Sequence, residues 1–267
     1  MNFVQAIILA IVEGLTEFLP VSSTGHMIIC SSFMGIESQA FTKMFTVVIQ
    51  LGAILSVVVV YWQKFLKIDL NFYKKLIFAF IPSAVFAILL KKHIDKVMES
   101  ALIVGIALFI GGILFLALDK WIEGKNKTGK DDLPSDKSSV IVGLFQILAM
   151  LFPGTSRSAA TIIGGLTQNL TKRAAAEFSF FLAVPTMGAA TVKELYDYYK
   201  DFGMPTSHEI KLLALGNIIA FIVALIAIKS FINILTKYGF KVFGWYRIAA
   251  GGIIIILYLL GYQLSVL

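Results

Sequence analysis

The sequence predicts an all-α polytopic membrane protein: six spans plus two re-entrant helix–turn–helix hairpins, arranged in two inverted repeats. Three observations predict it. Apolar residues make up 58% of the 267 positions and the mean hydropathy is +0.86, above the roughly 45–50% apolar content of soluble domains. Six apolar runs approach or reach the ~20 residues that a bilayer-crossing helix needs. Two further apolar regions are each broken in the middle by proline, glycine and hydroxyl residues.

The first broken region covers about 1–34. Its opening stretch, Phe3 to Val21, is almost wholly apolar until Pro20, which has no N–H for a helix ladder, and the following Ser22, Ser23, Thr24 and Gly25 read as a turn. Three spans follow at roughly 41–62, 76–90 and 100–119. The polar stretch Lys120 to Lys137 then separates the halves. The second broken region, about 138–168, turns at Pro153, and spans follow at roughly 174–191, 211–229 and 245–263. Non-helical backbone at membrane depth survives only inside protein or along a wet cavity, so both broken regions read as hairpins that enter and leave by one side.

The two breaks resemble each other. FLPVSSTGH (Phe18 to His26) and LFPGTSRSAAT (Leu151 to Thr161) share an aromatic residue, a proline and a Ser/Thr-rich turn. The chain therefore divides into a first repeat at 1–119, a polar loop at 120–137 expected in the cytoplasm, and a second repeat at 138–267. A hairpin does not change sides whereas three spans do, which inverts the second repeat. Its turn, Ser156–Arg157–Ser158, would then face Glu13 and Glu17.

Orientation follows from the basic residues. Loops on one side, including Lys64 to Lys75 and Lys120 to Lys137, carry thirteen of them, against six on the other side at Lys91, Lys92, Lys96, Lys193, Lys200 and Lys211. The richer side should be cytoplasmic, which puts both termini and the mouth of the first hairpin outside. The net charge of +7 reflects this topology, and no nucleic-acid partner is expected. The single Cys30 excludes an intrachain disulfide and reads as a packing residue. With no basic n-region and with acidic residues in the apolar run, the N-terminus does not read as a secretory signal peptide.

Glu13 and Glu17 are the most informative residues. A carboxylate in a membrane-like segment costs about 2.5–3.5 kcal/mol even on lenient insertion scales. A spacing of four puts both on one helix face, where like charges repel. A cation between them, either a metal ion or a substrate held through one, is the natural remedy.

EGLTEFLPVSSTGH (Glu13 to His26), PGTSRSAATIIGGL (Pro153 to Leu166), AAAEFSFFLAVP (Ala174 to Pro185) and VVIQLGAIL (Val47 to Leu55) resemble the signature stretches of the bacterial undecaprenyl-diphosphate phosphatase, or bacitracin-resistance, family. The likeness runs in order through nearly the whole chain. It implies hydrolysis of a C55 isoprenoid diphosphate to the monophosphate in the bacterial plasma membrane, recycling the lipid carrier of cell-wall synthesis. One departure is Thr46, where some relatives carry an acidic residue, and that position receives no role.

The residue types fit such chemistry. Glu13 and Glu17 offer oxygen ligands to a divalent cation, Mg or Ca. Arg157, an arginine inside an apolar re-entrant region, suits a phosphate clamp because its planar fork can bind two oxygens. Backbone N–H groups near Gly154 to Ser158 and Ser22 to Gly25 add a preformed anion site. Ser22, Thr24, Gly154, Ser156, Arg157, Ser158 and Thr161 are accordingly expected at the phosphates. Ser23 is the expected nucleophile, with an activated water as the alternative, and His26 is the expected general acid or base. Against these stand plainer roles: hydroxyls that cap half-helices, a structural Arg157, and a histidine that only orients a hydroxyl. Glu177 beside Lys172 and Arg173 reads as an interfacial ion pair, and His93 and His208 as solvated loop residues.

Two other functions compete. Inverted repeats with broken helices also suit a transporter, which would release its solute unchanged. A metal-free lipid phosphatase with a histidine nucleophile would need a second histidine, but none occurs in the ten residues after Arg157. The expected partners are a polyprenyl diphosphate and the bilayer, with a homodimer left open.

Overall fold

The computed structural model describes residues 1–90, 100–125, 129–262 and 264. Regular structure in these residues is helical apart from isolated bridge positions, among them the pair Lys130 and Leu170. The first broken region forms α1 (Phe3–Thr16) and α2 (Ser23–Phe33). Asn2 starts α1 with a capping box, its side chain accepting from Gln5 N while the Gln5 side chain accepts from Asn2 N. The second broken region forms α8 (Asp136–Leu151) and α9 (Arg157–Thr167). Ser22 and Ser156 cap α2 and α9 in the same unusual way, at φ 66° and 73°, with each side chain accepting from the N–H three residues on. Positive φ in a non-glycine residue costs on the order of 1–3 kcal/mol and collects at ligand clamps.

Six helical stretches are long and apolar enough to cross a membrane. Ala40–Val60 consists of α3 (Ala40–Val48) and α4 (Gln50–Val60), and short α5 (Trp62–Leu66) follows. The others are α6 (Leu70–Leu89), α7 (Ala101–Lys125, apolar to Asp119), α10 (Lys172–Phe202), α11 (Ser207–Tyr238) and α12 (Lys241–Leu259). Each expected span has a counterpart, but α6 begins earlier, at Leu70, α10 runs on to Phe202, and α11 outruns its span at both ends. Thr171 caps α10, and Thr206 with Glu209 forms a capping box on α11, so helix begins before the apolar run. His208 consequently lies in the first turn of α11 and not in a loop, while His93 falls outside the described residues. Glu177 pairs with Arg173 at 2.9 Å, whereas Lys172 reaches Asp119 at 3.5 Å.

The outward faces stay apolar. Ile77, Ile81 and Val85 on α6, and Ile218, Ile222 and Ile226 on α11, are exposed at helical spacing, as a lipid-facing stripe requires. Inside, α1 packs on α11 and α8 packs on α6. Glycine makes both approaches possible. A Cβ on Gly14 would lie 2.7 Å from the Ala220 carbonyl oxygen, and one on Gly143 would lie 2.2 Å from that of Ala79. Small residues of this kind replace the hydrophobic drive that lipid cannot supply between helices. Among the described residues the largest core cluster includes Phe18 and Val21 at the first break, Ala159 and Ile162 just after the second, and Phe178, Phe180 and Phe231.

Candidate active site

Glu17 sits at the C-cap of α1, just ahead of the break, and is buried. Each of its oxygens receives a donor. Arg157 Nη2 donates to Oε1 at 2.9 Å, and Ser23 Oγ donates to Oε2 at 2.6 Å. The first helix of one broken pair and the starts of both second helices thus converge on one carboxylate. Arg157 is further fixed by Nη1 donating to Ser179 O at 3.0 Å and by Nη2 lying 3.5 Å from Met187 Sδ. Its Nε is buried with no partner among the described residues.

Beside these groups lies a cavity of about 250 Å³. Glu17, Ser22, Ser23 and Thr24 wall it from one break, and Pro153, Gly154, Ser156 and Arg157 from the other. Gln50, Gln146, Ala149, Met150 and Met187 complete the lining. The lining therefore combines hydroxyl and guanidinium donors with apolar and amide groups, as an amphiphilic ligand requires.

Glu13 stands one turn before Glu17 at 0% exposure, and neither of its oxygens has a partner among the described residues. The charged groups facing it are Glu17 and Arg157. A buried carboxylate left open beside a second one fits a hard cation, for which oxygen donors completed by water suffice. Among the described residues no cluster of three or more acidic, histidine or cysteine side chains supplies a fuller cage.

The remaining expected residues divide. Ser158 donates to Leu19 O at 3.0 Å, tying α9 to the first break, and shares a hydrogen bond with Ser156. Thr161 bonds Ser179 Oγ at 2.6 Å and Arg157 O at 2.9 Å, behind the cavity wall. His26 turns elsewhere. Its Nδ1 meets Ser22 O at 2.7 Å, which requires N–H there, so in the neutral ring Nε2 accepts from Tyr246 OH at 2.5 Å. The two rings stack 5.5 Å apart. The structure brings Glu17, Ser22, Ser23, Thr24, Gly154, Ser156 and Arg157 to one cavity, and it does not bring Glu13, His26, Ser158 or Thr161 to its lining.

The family profile described as bacitracin resistance protein BacA matches residues 6–253. The chain belongs to the BacA family. An undecaprenyl-diphosphatase of Flavobacterium psychrophilum is 54% identical over 267 residues, spanning all of both chains. One of Bdellovibrio bacteriovorus is 51% identical over 267 residues, 99% of each. One of Aquifex aeolicus is 44% identical over 249 residues, 92% of this chain and 95% of the relative.

Sequence reasoning missed one charged residue of this BacA-family site. Arg247, at 1% exposure, donates from Nη1 to Pro20 O (3.0 Å) and Thr155 O (2.9 Å), and from Nη2 to Gly154 O (3.1 Å) and Ala107 O (3.3 Å). It also lies 5.1 Å over the Phe115 ring. One guanidinium thus staples both breaks to α7. The available signal was a charge near the start of the last apolar run, where it reads as an interfacial anchor. Replacing it with methionine removes a donor from four carbonyls, of which Ala107 O keeps its place in the α7 ladder. Arg247→Met should therefore lose at least ~2 kcal/mol of stability, with turnover falling alongside. Thermal unfolding of the purified variant checks this. An unchanged melting temperature would show that the staple is dispensable.

Proposed function

We propose that this BacA-family chain is a multi-pass membrane phosphatase of the bacterial plasma membrane. It hydrolyses undecaprenyl diphosphate to undecaprenyl phosphate and inorganic phosphate, which recycles the carrier lipid of cell-wall synthesis and confers bacitracin resistance. The observation that carries the reading is the Glu17 carboxylate, which receives the Ser23 hydroxyl at 2.6 Å and the Arg157 guanidinium at 2.9 Å. A candidate nucleophile, its base and a phosphate clamp meet at one group. The names of relatives 44–54% identical over nearly the full chain support the same substrate.

In this mechanism the diphosphate displaces Arg157 partly from Glu17, and the guanidinium fork takes two oxygens of the terminal phosphate. Glu17 accepts the Ser23 proton as Oγ attacks phosphorus, and the bond to the bridging oxygen breaks, releasing the lipid monophosphate. Water then cleaves the phosphoserine; direct attack by water on the diphosphate is the alternative. N–H groups at the starts of α2 and α9 face the phosphate oxygens. A divalent cation, Mg or Ca, would be held by Glu13 and Glu17 and would stabilise negative charge developing on the phosphate. Ser22, Thr24 and Ser156 line the phosphate pocket, while Ser158 and Thr161 hold α9 in place. His26 orients the first break through Ser22 O.

The architecture behind this reading is two inverted repeats, 1–119 and 138–267, joined by a cytoplasmic loop at 120–137, each opened by a re-entrant hairpin. The like caps of Ser22 and Ser156, and the matched packing of α1 on α11 and α8 on α6, support it. The basic-residue count supports an outward-facing site. Sealed cells expressing the chain should release phosphate from a water-soluble short-chain prenyl diphosphate supplied outside. Uptake of that diphosphate without phosphate release would favour a transporter instead.

A further inference from the structure

Gln146 borders the cavity at 0% exposure, on α8. Its Nε2 donates to Ser83 Oγ at 2.6 Å and to Thr186 Oγ1 at 3.3 Å. Both hydroxyls have already spent their protons, Ser83 on Phe80 O and Thr186 on Leu182 O, each at 2.8 Å. They can only accept, so the amide must turn its nitrogen toward them and its carbonyl away. That carbonyl, Oε1, is buried and has no partner among the described residues. An orphaned buried acceptor costs about 1–3 kcal/mol, a penalty that any donor reaching it removes.

Its place in the chain is as informative. Gln146 stands seven residues before Pro153, as Glu13 stands seven residues before Pro20. Each broken helix thus carries one fully buried side chain with unpartnered oxygen at the same distance from its break. The first is a carboxylate suited to a cation. The second is a neutral amide, which has no charge to offer and suits an uncharged donor.

We infer that Gln146 Oε1 is a catalytic acceptor that holds the hydrolytic water, an inference that rests on the phosphatase reading. Water has two O–H bonds. With the first serine proton carried off on the leaving lipid monophosphate, Glu17 takes one proton from water as the water oxygen bonds phosphorus; the phosphorus–Ser23 oxygen bond breaks, and Glu17 returns that proton to Ser23 Oγ, 2.6 Å away. The products are free serine and inorganic phosphate. The second O–H needs an acceptor on the far side, and Gln146 supplies it. Methanol can give its only proton to Glu17, but then sets a methyl group against Gln146. A site built to bond a hydroxyl proton discriminates against an analogue that lacks it.

The experiment uses purified full-length protein, a polyprenyl diphosphate and methanol as competing acceptor, with phosphate and methyl phosphate measured together. Gln146→Met keeps the side-chain volume and removes the acceptor. Its kcat should fall by on the order of 10²-fold with KM changed little. Its methyl phosphate to phosphate ratio should rise about tenfold over wild type. The ratio reads only the active molecules, so partial misfolding does not affect it. Ser83→Ala, which frees the amide to rotate, should raise the ratio by a smaller factor and decides the matter if Gln146→Met is inactive. A ratio equal to wild type in the active variants would overturn the role of Gln146 and leave the phosphatase reading standing. No phosphate from wild-type protein would sink that reading instead.

Discussion

Glu17→Gln is expected to abolish nearly all turnover, by on the order of 10³-fold or more in kcat, while the protein still inserts and folds. The amide keeps the shape of the carboxylate but cannot take the Ser23 proton, which Glu17 faces at 2.6 Å. It also removes the anion that orients Arg157 at 2.9 Å. Glu13→Gln should be comparably severe if the pair shares a cation. The double variant should then be little worse than either single one, because parts of one unit fail together. Steady-state phosphate release from the three variants, with melting temperatures alongside, is the check. Losses that multiply in the double variant would count against a shared cation.

Arg157→Lys is expected to be nearly as damaging. Lysine preserves the charge but is a point donor on a flexible stem, whereas the guanidinium spans Ser179 O and Glu17 Oε1 from fixed positions. If the fork clamps the transferring phosphate, the loss falls mainly on kcat, by about 10²-fold or more, with a smaller change in KM. If Arg157 only bridges the two breaks, lysine should restore most of the activity, and Arg157→Ala should lose stability in step with turnover. Near-wild-type turnover in the lysine variant would mean that another group holds the phosphate.

The parts of this site that were legible in the sequence are those whose presence violates membrane energetics. Glu13, Glu17 and Arg157 stand out because ionised groups in apolar segments are costly, and Pro20 and Pro153 because they end helices. Composition likewise placed the six long apolar helices. What stayed hidden depends on tertiary contact. Arg247 lies close enough to a span end to pass for an anchor, and only the folded chain carries its donors to carbonyls 92, 93, 140 and 227 residues away. Gln146 carries no charge penalty and leaves no mark in the hydropathy pattern. The turn of His26 toward Tyr246, 220 residues on, has no local signal either. Helix ends differ from the apolar runs where caps such as Thr206 with Glu209 extend α11 beyond its apolar stretch.

In the proposed mechanism the two breaks form a cation-assisted phosphatase site. Phosphate release from a polyprenyl diphosphate by the purified chain in detergent, before and after a chelator and again after added Mg or Ca, tests it most directly. A cation-assisted site should give stoichiometric phosphate and lipid monophosphate, loss of both on chelation, and recovery with the cation. Intact diphosphate in every arm, or full activity with chelator present, would contradict it.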